Sequence, residues 1–105
     1  MTFDQYEAGV AKTWNSTVSA SDQMMNALLG IVGEAGELAE AEKKRLFHGI
    51  PHNTDTEAKE LGDLLYYITA RARLIGYTLA QIAVENNQKL KARYPEGFRI
   101  GGGNR

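Results

Sequence analysis

Leu28-Leu29-Gly30-Ile31-Val32-Gly33-Glu34-Ala35-Gly36-Glu37-Leu38-Ala39 sets two carboxylates inside a run of apolar and small residues. Glu34 and Glu37 stand three positions apart, so on a helix they share one face. The pattern returns in Glu60-Leu61-Gly62-Asp63, which leads into Leu64-Leu65-Tyr66-Tyr67-Ile68. Met24, Leu28, Ile31, Ala35 and Leu38 follow three-four spacing, whereas strand alternation is nowhere sustained. The stretch reads as helix and the chain as all-α.

The boundaries follow from end signals. Thr2-x-x-Gln5 caps a first helix reaching about Thr13. Ser19 or Ser21 opens a second, which runs to about Phe47, with Lys43, Lys44 and Arg45 suiting its negative end. Gly49 and Pro51 stop it. Thr54-x-x-Glu57 reads as a capping box for a third helix from about Asp55 to Ile75, ended by Gly76. Thr78-x-x-Gln81 opens a fourth, to about Arg93. The expected architecture is one domain over residues 1–98, a bundle of four to five helices with two long antiparallel members, and a disordered tail over 99–105. Leu64 to Ile68 point in every direction on a helix, so the third helix must be buried, and self-association is the natural way to bury it.

Taken singly, either acidic doublet is an ordinary solvated stripe. Two features change that reading. An antiparallel hairpin brings the doublets together, and Gly30, Gly33, Gly36 and Gly62 sit beside the acids, although each glycine costs a helix about 1 kcal/mol. Four clustered carboxylates repel one another and lose hydration unless a cation neutralises them. All-oxygen ligation points to Mg²⁺, with Mn²⁺ possible, and Mg²⁺ commonly shares its coordination with substrate phosphates. Neither doublet has a histidine three residues on, which argues against a bundle iron site. His48 and His52 read as exposed loop residues. Asn86, Lys89 and Arg93 share a face of the fourth helix. On periodicity alone they are a solvated basic stripe, and their alternative role is to hold phosphates.

The ordered set Glu34-Ala-Gly-Glu37-Leu-Ala-Glu40, Lys59-Glu60-Leu-Gly-Asp63 and Asn86-x-x-Lys89-Leu-x-x-Arg93-Tyr-Pro-Glu-Gly-Phe98 resembles the MazG-like all-α nucleoside triphosphate pyrophosphohydrolases. The resemblance covers residues 22–98 and implies a MazG-like bundle. It implies that Glu34, Glu37, Glu60 and Asp63 bind Mg²⁺, with Glu34 or Glu37 orienting or deprotonating the attacking water. It further implies that Asn86, Lys89 and Arg93, with Lys43 or Lys44, hold the nucleotide. The implied reaction releases a nucleoside monophosphate and pyrophosphate, in a dimer or tetramer. Thr2 to Ser21 match nothing in the family's pattern. A rival keeps the metal site and changes the substrate to an alarmone-type guanosine nucleotide. Another makes the chain a non-catalytic helical oligomerisation module, which accounts poorly for acids within apolar helices.

Composition narrows the classes further. There are no cysteines, which excludes disulfides, zinc-thiolate sites and cysteine nucleophiles and fits a reducing cytoplasm, the expected location. No apolar run spans a membrane, and the N-terminus lacks a secretory pattern. The net charge of −1 argues against general nucleic-acid binding. It conceals an asymmetry: residues 34–63 hold eight acids and four bases, residues 85–105 five bases and two acids.

Overall fold

Each helix begins at a residue whose side chain satisfies amides that the first turn leaves free. The computed structural model describes residues 1–102. They form α1 (Phe3–Thr13), α2 (Ala20–His48), α3 (Thr54–Leu74) and α4 (Leu79–Arg93), with no strand among the described residues. Thr2 and Gln5 make a reciprocal capping box, as do Thr78 and Gln81. Ser19 caps α2 by accepting from the Asp22 amide. The third helix departs from expectation. Its cap is Asn53, whose side chain accepts from the Thr56 amide at 3.1 Å, and Thr54 is already helical. His48, expected in the loop, is the last residue of α2.

Two glycines close the long helices as their sequence positions require. Gly49 takes a left-handed φ of 66°, and the Ile50 amide then reaches back to the Lys44 carbonyl. Gly76, with φ 86°, lets the Tyr77 amide reach the Ala72 carbonyl. Residues 99–102 of the expected tail close a turn in which the Gly102 amide donates to the Arg99 carbonyl. The rest of that tail, residues 103–105, lies outside the described residues.

The dominant packing is the α2–α3 hairpin. α1 and α4 lie against α3 and each other, and neither backbone approaches α2 among the described residues. Val10, Ala27 and Ala70 form the buried centre, packed by Tyr6, Trp14, Tyr66 and Leu74. Two side chains tie the layers: Arg71 Nη1 donates to the Met24 carbonyl at 2.7 Å, and Trp14 Nε1 donates to Gln23 Oε1 at 3.0 Å. The burial expected of α3 is only partly met within one chain. Leu64 to Tyr67 are half-buried, while Leu61 and Ile68 remain 51% and 36% exposed. Among the described residues no helix is long and apolar enough to cross a membrane.

Candidate functional site

The register of the hairpin decides which acids meet. Gly30 and Tyr67 are in direct contact: a methyl at Gly30 would fall 2.2 Å from Tyr67 Cδ1. One turn back along α2 and one turn on along α3, Ala27 and Ala70 join the same buried cluster. Counting the other way, Glu34 comes opposite Asp63, and Glu37 opposite Glu60. The four expected ligands thus lie in two consecutive layers of one helix pair.

Their electrostatics agree with that geometry. Glu34 is half-buried, and its Oε2 is buried with no hydrogen-bond donor. Its carboxyl is held above the ordinary carboxylate range, first by desolvation, then by the charges of Glu37, Asp63 and Glu60. All three other acids therefore act on Glu34. Tyr6 of α1 reaches the same region: its phenol is pushed up by burial, then by Tyr66 and by Asp63.

The donor set fits a hard divalent cation, being all carboxylate, with an orphaned oxygen and mutually repelling charges. As placed, however, no group of three or more His, Asp or Glu side chains among the described residues stands close enough together to ligate an ion.

Beyond Glu37 and Glu60 the hairpin opens into a cleft of about 360 Å³. Lys44, the loop Ile50–Asn53, Thr56 and Glu57 line it together with those two acids. His52 Nε2 stands 3.6 Å from Glu57 Oε2 on its wall. Glu42, also on the wall, is engaged by Arg45, which holds its carboxyl below the usual range. Of the two candidate lysines, Lys44 lines the cleft and Lys43 does not.

The structure does not bring the basic face of α4 to this cleft, which no residue of α4 lines. Asn86 and Lys89 are exposed, and Arg93 lines a separate hollow with Tyr94, Pro95 and Arg99, its Nε buried without an acceptor. His52 is an exposed loop residue, as its position in the sequence predicts, while sequence reasoning missed Tyr6 and Tyr67. For Tyr67 a signal existed: it lies one turn after Asp63, as Gly30 lies one turn before Glu34.

The sequence model of the MazG nucleotide pyrophosphohydrolase domain matches residues 23–98, taking in both doublets and the Arg93–Phe98 ending. The Gene 37 protein of Mycobacterium phage L5 is 35% identical over 79 residues, covering 71% of this chain and 69% of the phage protein. No solved structure matches. The chain belongs to the MazG nucleotide pyrophosphohydrolase domain family. α1 lies wholly outside the matched span.

Proposed function

We propose that this MazG-family chain is a Mg²⁺-dependent nucleoside triphosphate pyrophosphohydrolase. It converts a ribo- or deoxynucleoside triphosphate to the monophosphate and pyrophosphate. One observation carries the reading: Glu34 keeps a buried, unpartnered oxygen beside three other carboxylates. Such an arrangement is unfavourable unless a cation joins it. Glu34, Glu37, Glu60 and Asp63 would hold Mg²⁺, or Mn²⁺ in its place, and the bound ion supplies charge neutralisation at the phosphates.

The remaining work belongs to side chains. Glu34 or Glu37 orients a water and takes its proton while the water oxygen attacks the α-phosphorus. The bond from that phosphorus to the α–β bridging oxygen breaks, and pyrophosphate leaves with the electron pair. Lys44 stands on the cleft wall beside Glu37 and Glu60, where a cation stabilises the charge that gathers on the leaving group. Asn86, Lys89 and Arg93 serve the substrate across a homo-oligomer, dimer or tetramer, because α4 of the same protomer does not approach α2. Little covalent work is asked of the protein, since phosphoryl-type transfer rests on positioning and charge.

Product analysis tests the reading. A panel of nucleoside triphosphates is incubated with the protein and Mg²⁺, and the products are separated by ion-exchange chromatography. Monophosphate and pyrophosphate should appear together with no diphosphate. Diphosphate and orthophosphate as first products would reject it.

A further inference from the structure

The α2–α3 hairpin has one contact too tight for any side chain. A Cβ on Gly30 would lie 2.2 Å from Tyr67 Cδ1, 2.4 Å from Cγ and 2.5 Å from Cε1. A Cβ on Gly33, Gly36 or Gly62 would meet nothing within 4 Å. The glycines beside the acids are therefore not equivalent: of these four only Gly30 is demanded by a neighbour. Glycine within a helix costs about 1 kcal/mol relative to alanine. At Gly30 that cost admits an aromatic ring against the α2 backbone.

The ring is itself fixed. Tyr67 meets Trp14 edge-on at 6.2 Å and Tyr66 edge-on at 5.4 Å. Tyr66 is held in turn by its hydroxyl, 3.0 Å from Thr13 Oγ1. α1 and the link after it thus brace Tyr67 through Tyr66 and Trp14. The seat lies one turn from Glu34 along α2 and one turn from Asp63 along α3. Whatever sets the spacing and register at Gly30 therefore sets them at the carboxylates, because a packed helix pair moves as a unit over one turn.

We propose that Tyr67, seated on Gly30 and braced by Trp14 and Tyr66, is a positioning residue that fixes the register at which the two carboxylate pairs face each other, and with it the divalent-metal affinity of the site. This rests on the metal-binding reading above. It also gives α1, which lies outside the family's matched span, a place in the function: it supports the ring that aligns the acids.

The test measures Mn²⁺ affinity by the paramagnetic resonance signal of the free ion, alongside helical circular dichroism, and needs no turnover. In the parent, binding should depend on Glu34 and disappear in Glu34→Gln. Gly30→Ala should stay helical, since alanine favours helix, yet lose at least tenfold in Mn²⁺ affinity. Combining Gly30→Ala with Tyr67→Ala vacates the space the methyl needs and should recover part of that loss. Tyr67→Phe keeps the ring and should bind as the parent does. A merely structural contact would lower the melting temperature without this pattern of affinity loss and rescue. If Gly30→Ala does not fold, Tyr67→Ala alone decides, with a several-fold loss expected. Parent-like affinity in the folded variant that decides the test overturns the positioning role and leaves the metal site standing. Binding that ignores Glu34→Gln overturns the metal reading and the positioning role together.

Discussion

Glu34 carries the strongest prediction at the scale of single residues. Its carboxyl stands above the ordinary range in the folded chain, through desolvation first and its acidic neighbours second. The unfolded chain releases that proton more readily. The favourable contribution of the protonated group is therefore complete below the unfolded value, near pH 4, and is lost as pH rises through the folded value. Metal-stripped protein should melt at lower temperature as pH is raised through this acidic window, and Glu34→Gln should flatten that part of the profile. Millimolar Mg²⁺ should raise the melting point of the parent at neutral pH, since a ligand of the folded state stabilises it. It should do nothing for Glu34→Gln, and a variant that kept the full Mg²⁺ response would remove Glu34 from the ligand set. Glu37→Gln, Glu60→Gln and Asp63→Asn should each cost turnover more than the ~10–100-fold typical of outer-shell changes at metal sites. Lys44→Ala and Lys89→Ala should cost less than any of these in the same assay. The acids were legible in the sequence because their three-residue spacing and apolar setting are local facts. Tyr6 was not, because its nearness to Asp63 depends on which residues of distant elements become neighbours, and for Tyr67 the one-turn spacing from Asp63 gave the layer but not the partner, Gly30.

At the scale of elements, the cap of α3 separates two readings that local pattern alone cannot. Asn53 and Thr54 are both capping residues, and Thr54-x-x-Glu57 satisfies a capping-box template. The backbone decides: Asn53 is extended, with φ −124° and ψ 107°, and its side chain accepts from the Thr56 amide. Asn53→Ala should destabilise the chain by about 1 kcal/mol. For a domain of this size that lowers the melting temperature by roughly 4–8 °C. Thr54→Ala should cost distinctly less, and the reverse order in thermal melts would restore the sequence-based boundary. The other ends were readable because each is a closed local circuit, as in Thr2 with Gln5, Thr78 with Gln81, and the left-handed Gly49 and Gly76. The placement of α4 was not readable. Its three-four basic spacing is compatible with packing beside the acids or away from them, and the structure takes the second course.

At the scale of the whole molecule, one chain is more open than a compact monomer of its length. A compact domain of this length has a radius of gyration of about 13 Å, and this chain has 16.9 Å. Its accessible surface is 7941 Å², whereas a monomer of its mass exposes about 5,800 Å². The excess, about 2,100 Å² per chain, is of the size that obligate partners bury. Its apolar part is not scattered. Met25, Leu29 and Val32 are 54%, 61% and 63% exposed and repeat at three-four spacing along α2. Leu61 and Ile68 on α3 and Ile75 at its C-cap are exposed at intervals of seven. The sequence pointed to α3 alone as the centre of self-association, because Leu64 to Ile68 are apolar all round. In the fold Tyr66 and Tyr67 turn inward to Trp14 and Gly30, so the outward stripe shifts to Leu61 and Ile68 and is joined by the far side of α2. Light scattering at micromolar concentration should therefore report at least a dimer. Val32→Asp and Ile68→Asp should each dissociate or unfold it, because an unpaired charge in a closed apolar interface costs several kcal/mol. Glu42→Lys, on the cleft wall, should leave the assembly intact. A well-folded monomer in the parent would mean that these stripes stay in water, and Asn86, Lys89 and Arg93 would then have no second copy through which to reach a substrate.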